Sequence, residues 1–460
     1  MPIFYVPDLL YHEDQFSATH GLLVADDGLI EEVRALYDAP AVPLARLAGK
    51  ALLPGLVNGH SHSFQRLIRG VAEHRGSTTD DFWTWRTIMY RAASTLSPGE
   101  LYGVARMAFL EMILSGITAV GEFHYIHRQQ NGAPYEDPNL LSKTVIDAAV
   151  SVGLRICLLR VAYARAGYAM PPNPGQVRFY EATGEYLQNM ARLAEDLRDA
   201  PATVTCGVAP HSIRAVTLDG LKQIHAWSES RQLPCHMHMA EQRAEIVACE
   251  QEHGVSPVRL LQREGLLSSR LTLVHAIHTA PDEFDALASS QTTICSCPST
   301  ERNLGDGIIN AEYAVAEGVP FSFGSDSQAT IDLLEDAREL DYHLRLQRQQ
   351  RVILDRVDGR DLSTRLFGYA TRGGAKSLGL TTGALVPGTP ADFFTVDLND
   401  VSIAGSAQEE LMPTIVFSLS RAAIRDVFVG GSGIVTDAAH PLQREIVESY
   451  KSIAHQVSLR

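Results

Sequence analysis

The sequence predicts an α/β chain: a closed (β/α)8 barrel of the TIM type, with a small β-sandwich formed by the N- and C-terminal segments. Three observations carry this. Eight short apolar, β-branched runs alternate with longer stretches of helical spacing between residues 51 and 324. No Gly-x-Gly-x-x-Gly follows the first run, which argues against an open doubly wound sheet. Strand-like character is present before residue 51 and returns after about residue 380, so the two ends fit one β-domain.

Residues 1–50 read as strands with turn signals such as Asp26-Asp27-Gly28 and form the first part of the sandwich. The barrel spans 51–380, with strand runs at 51–58, 117–123, 155–163, 203–209, 233–239, 271–277, 292–297 and 319–324. Between them, 101–114, 140–150, 179–197, 218–228 and 281–288 have helical spacing. Ser97-Pro98 gives the first of these an N-cap and a first-turn proline. The second part of the sandwich covers 381–440, with runs from Ala391 and Ile424. Residues 441–460 read as a C-terminal helix.

Bulk properties narrow the function. No run of 18 apolar residues occurs, so no membrane span is expected. The N-terminus lacks a basic segment followed by an apolar one, so no signal peptide is expected. Six scattered cysteines form no disulfide framework and suit a reducing cytoplasm. A net charge of −15 argues against nucleic acid, whose phosphates require a basic face. The expected partner is a small anionic substrate, and the expected assembly is a homodimer.

In such a barrel the chemistry lies at the C-terminal ends of the strands. His60-Ser61-His62 ends the first strand, and alternation aims both imidazoles the same way. The fifth strand carries His236 and His238, followed by Glu241; the sixth carries His275; the eighth leads into Ser325-Asp326. His60, His62, His238 and Asp326 form the expected metal set, and three imidazoles with one carboxylate suit zinc or iron. A divalent ion there lowers the pKa of a bound water toward about 7. His236 shares a face with His238 but lies one layer deeper, in a packing role. Glu241 is the expected proton carrier, Asp326 a second acceptor, and His275 the group that orients the nucleophile or holds developing charge. A second metal would need a bridging lysine on strand four, and residues 204–213 contain none, so one divalent ion is expected.

Arg86 and Arg214 are arginines that hydrolysis alone does not require, and guanidinium forks pair with carboxylates. Gln65 and Tyr125 are placed to add neutral hydrogen bonds. The aromatic segment 82–90 reads as a loop that closes over the site.

The order His-x-His, His-x-x-Glu, His, Ser-Asp on eight strands resembles the amidohydrolase superfamily in its mononuclear deaminase branch. The segments His62–Arg66, Phe82–Arg86, Glu122–Tyr125, His211–Arg214 and Ser299–Gly307 resemble more closely those of formimidoylglutamate deiminases. The resemblance implies a zinc-dependent hydrolase of histidine degradation that converts N-formimino-L-glutamate to N-formyl-L-glutamate and ammonia. It carries metal binding onto His60, His62, His238 and Asp326, proton transfer onto Glu241, and water activation onto His275. It adds His211 to Gln65, Arg86, Tyr125 and Arg214 as substrate contacts. Arg302, inside the Ser299–Gly307 segment, is the one local departure. The competing readings are a deaminase of a purine or other cyclic amidine, a ring-opening amide hydrolase and a non-catalytic barrel.

Overall fold

The structure is a computed structural model that describes residues 1–74, 81–355 and 359–458. The N-terminal segment forms β1 (Ile3–His12), β2 (Gln15–Ser17), β3 (His20–Val24), β4 (Ile30–Ala35) and β5 (Leu44–Pro54). The barrel strands are β6 (Leu56–Ser61), β7 (Ile117–His124), β8 (Arg155–Ala162), β9 (Val204–Pro210), β10 (Cys235–Met239), β11 (Leu271–His275), β12 (Thr293–Ser296) and β13 (Phe321–Phe323). The C-terminal segment adds β14 (Phe393–Asp397), β15 (Ile424–Val429) and β16 (Ser432–Val435).

The terminal strands pair in one mixed sheet of order β16-β15-β14-β5-β1-β3-β4, with β2 on β1. It keeps its own core around Tyr5, Leu10, Leu22, Leu52 and Phe393. The run 51–58, expected as one barrel strand, is divided between the two sheets. Residues up to Pro54 pair with β1 and β14, and the barrel starts at Leu56. Gly55 makes the hinge, because a Cβ there would stand 2.1 Å from Thr118 Oγ1. The stretch 381–440 also holds a helix, Leu411–Ser418, that packs on the helices Leu333–Arg348 and Leu362–Gly368.

The eight barrel strands run parallel in sequence order from β6 to β13. β6, β7 and β8 are buried along their whole length, as strands covered on both faces should be. The ring closes at its C-terminal rim. His62 N–H donates to Asp326 O at 3.0 Å, and Asp326 N–H donates to His60 O at 3.1 Å. Ser61 and Asp326 thereby form a parallel bridge between first strand and last.

The helix Pro98–Ile113 starts as expected. Ser97 Oγ accepts from Glu100 N–H, and Glu100 answers to Ser97 N–H at 2.8 Å. The helix Gln443–Ser458 ends the described chain; residues 459–460, the end of the expected C-terminal helix, lie outside the described residues. Among the described residues no helix is long and apolar enough to cross a membrane.

Candidate active site

The rim of the barrel assembles the predicted ligands. His60 and His62 come from the end of β6, His238 from β10 and Asp326 from the turn after β13. One ligand atom of each lies within 4.8 Å of the others. His60 Nε2 is 3.2 Å from His62 Nε2 and 3.2 Å from His238 Nε2; the third edge is 3.4 Å. Asp326 Oδ1 stands 3.4 Å from His60 Nε2 and 3.2 Å from His62 Nε2. Tetrahedral coordination with metal–nitrogen bonds of about 2.0–2.1 Å places ligand nitrogens about 3.3–3.4 Å apart. The ring tautomers agree with this. His62 Nδ1–H donates to Phe123 O at 2.9 Å, and His238 Nδ1–H donates to His211 O at 3.2 Å. Their Nε2 atoms therefore turn lone pairs toward each other, an arrangement a cation relieves.

Backbone and buried polar groups fix this cluster. Asp326 and His275 both adopt left-handed backbone, with φ of 44° and 73°. Such residues cost about 1–3 kcal/mol each and persist where surrounding structure holds them. Behind the ligands, Asn58 Nδ2 donates to Ser325 Oγ, and Gln328 Nε2 donates to Ser61 Oγ. Ser61 Oγ and Ser63 Oγ both donate to Glu122 at 2.6 Å. These contacts tie β6, β7 and the turn after β13 together.

Two further titratable groups, Glu241 and His275, sit beside the His/His/His/Asp cluster. Glu241 Oε1 is 3.7 Å from His275 Nε2, which is 3.7 Å from Asp326 Oδ2. His275 Nδ1–H donates to Glu301 Oε1 at 3.3 Å. Burial, reinforced by nearby carboxylates, lifts the Glu241 carboxyl well above its usual range. Burial opposes the charged form of His275, but Glu241, Glu301 and Asp326 raise its pKa well above 6.5. Asp326 is also buried, yet the His60 and His62 hydrogen bonds and His275 hold it well below 3.8.

A cleft opens from this cluster. Gln65, Arg86, Tyr125, His211 and Arg214 all line it, together with Glu241 and His275. Gln65 Nε2 donates to Tyr125 OH at 3.0 Å. Arg214 Nη1 donates to Tyr163 OH and Ala166 O, both at 3.1 Å. Arg86 lies over the Trp83 ring at 4.3 Å, and its buried Nη1 has no partner among the described residues.

One sequence expectation changes, and the structure places two residues whose roles the sequence left open. The segment 82–90 is a helix rather than a loop: Phe82–Thr95 is capped by Asp81, whose Oδ1 accepts from Trp83 N–H and Thr84 N–H. Phe82, Trp85, Arg86, Met89 and Tyr90 repeat at helical spacing and form its cleft face. Arg302 turns away from the cleft and pairs with Glu335 and Glu339 at 3.0 and 2.7 Å. Its neighbour Glu301, to which sequence reasoning gave no role, is the one that reaches His275. His236 lies deeper, as expected, with Nε2–H donating to Ser377 O.

A parallel eight-stranded barrel that carries three histidines and an aspartate at its C-terminal rim defines a metal-dependent hydrolase. The amidohydrolase family model matches residues 51–433, and the chain belongs to that family. A formimidoylglutamate deiminase from Pseudomonas aeruginosa is 38% identical over 91% of this chain and 91% of its own length. An 8-oxoguanine deaminase from the same organism is 29% identical over 91% of this chain and 90% of its own. An amidohydrolase from Brucella melitensis superposes with a TM-score of 0.91 at 31% identity, covering 99% of both chains.

Proposed function

We propose that this chain hydrolyses N-formimino-L-glutamate to N-formyl-L-glutamate and ammonia. The observation that carries this reading is the pairing, across one cleft, of the His/His/His/Asp cluster with two guanidinium groups, Arg86 and Arg214. The 38% identity to the formimidoylglutamate deiminase supports it. A neutral nucleobase would make little use of those charges.

His60, His62, His238 and Asp326 would hold one divalent ion, and the spacing of the donors suits zinc. His275 and Cys297 also lie close to Asp326, so a second group of possible donors shares that carboxylate with the first. Bound there, the ion supplies Lewis acidity that makes water nucleophilic at neutral pH. Glu241 takes a proton from the attacking water and delivers it to the departing nitrogen. The water oxygen bonds to the formimino carbon, the carbon–nitrogen bond to the terminal nitrogen breaks, and ammonia leaves with both water hydrogens. His275, oriented by Glu301, holds a hydrogen bond toward the oxygen as charge develops. Arg86 and Arg214 bind the glutamate carboxylates, with Gln65, Tyr125 and His211 completing the contacts. The aromatic face of the helix Phe82–Thr95 covers the cleft and excludes water.

The test is ammonia release from N-formimino-L-glutamate before and after chelation. Expected is ammonia equimolar with N-formyl-L-glutamate, lost with chelator and restored by zinc. Turnover of 8-oxoguanine in place of the formimino compound would overturn the assignment.

A further inference from the structure

Gln176 lies outside every motif considered so far. It ends the 3-10 turn Pro174–Gln176 in the segment after β8, and it is 1% exposed. Its Nε2 donates to Tyr90 OH and to Tyr163 OH, both at 2.8 Å. Its Oε1 is buried and has no partner among the described residues. An amide kept for packing alone would be poorly placed, since an unpaired buried acceptor is costly and an apolar side chain of similar shape avoids it.

The two phenols it touches belong to the arginine wall of the cleft. Tyr90 is on the helix that carries Arg86, whose guanidinium lies 5.4 Å from the Tyr90 ring. Tyr163 follows β8 and accepts from Arg214 Nη1 at 3.1 Å. A phenol oxygen has two lone pairs and one hydrogen. At Tyr163 both lone pairs are taken, by Gln176 and Arg214, so its hydrogen must point elsewhere. At Tyr90 the Gln176 donor occupies one acceptor site. No described residue accepts the hydrogen of either phenol, and both side chains line the cleft.

We propose that Gln176 is a positioning residue that turns the Tyr90 and Tyr163 hydroxyls into the cleft. With Arg86 and Arg214 they form one wall of donors for the carboxylates of a dianionic ligand. This rests on the functional reading above as to substrate class. Gln176 itself does not touch the ligand; it acts through the two phenols, and so it sets selectivity for carboxylate-bearing amidines rather than the rate of the chemical step.

The test combines Gln176→Met, neutral and nearly isosteric, with Tyr90→Phe/Tyr163→Phe. Glutarate affinity is read by calorimetry, and KM and kcat are read with N-formimino-L-glutamate. Gln176→Met alone should weaken glutarate and raise KM by about tenfold, with kcat within threefold. In the Tyr90→Phe/Tyr163→Phe background it should add less than twofold, because the groups it acts through are gone. Turnover of N-methylformamidine, which lacks carboxylates, should stay within twofold. Unchanged glutarate affinity, additive losses, or an equal fall with N-methylformamidine would overturn the proposal. A wild-type protein that binds glutarate but releases no ammonia from the formimino compound would overturn the functional reading alone.

Discussion

Replacing Glu241 by Gln keeps the outline of the side chain and removes its capacity to pass a proton. The variant should keep KM within a few-fold and lose about 10²–10⁴ in kcat, read by ammonia release. Arg86→Met and Arg214→Met should act in the opposite sense. Each removes a charged hydrogen bond worth about 1.5–3 kcal/mol, so KM rises by about 10- to 150-fold while kcat changes less. At this scale much of the site is legible in the chain. Strand alternation places His60 and His62 on one side, and a barrel rim must gather them with His238 and Asp326. Glu301 is not legible, because its partner His275 is 26 residues away and the contact exists only once β11 and the helix Pro298–Leu304 are neighbours. The same holds for Gln176, which meets Tyr90 86 residues away.

Among the elements, the helix Phe82–Thr95 shows what periodicity offers when it is followed far enough. Phe82, Trp85, Arg86, Met89 and Tyr90 follow the 3.6-residue repeat, and Asp81 with Thr84 makes a capping pair. The density of aromatic residues hides this by suggesting an irregular lid. Asp81→Ala removes the cap at a cost of about 1 kcal/mol to that helix. Amide exchange over 82–90 should quicken, and KM should rise more than kcat falls, since Arg86 and Tyr90 ride on the helix. The divided run at Pro54-Gly55 is illegible for another reason. Apolar residues on either side look alike, and only the close approach of Thr118 distinguishes one sheet from the next.

Across the whole molecule, one buried ion pair ties β8 to its following loop. Arg160 Nη1 and Nη2 meet Glu181 at 2.5 and 2.9 Å, with Asn139 and Asn189 supplying the remaining bonds. Burial alone would raise the Glu181 pKa, but His127 and Arg160 bring it down to about 2 from its ordinary 4.5. A depressed folded-state pKa contributes stability that is complete above about pH 4.5 and is lost as pH falls toward about 2. Glu181→Gln should therefore lower stability by about 3–5 kcal/mol at pH 7, because it strands a buried guanidinium. That deficit should shrink as both proteins are acidified, as read from urea midpoints across the range. Chelation should lower the melting temperature of the wild type, since an ion bound only by the folded chain stabilises it by mass action.

Asp326 gives its carboxylate to the ligand cluster and its peptide group to the bridge with Ser61. Sealing the ring and shaping the coordination pocket are thus a single event in the life of the chain. The full set of three imidazoles and one carboxylate is therefore complete only once the eighth strand has been made and has met the first.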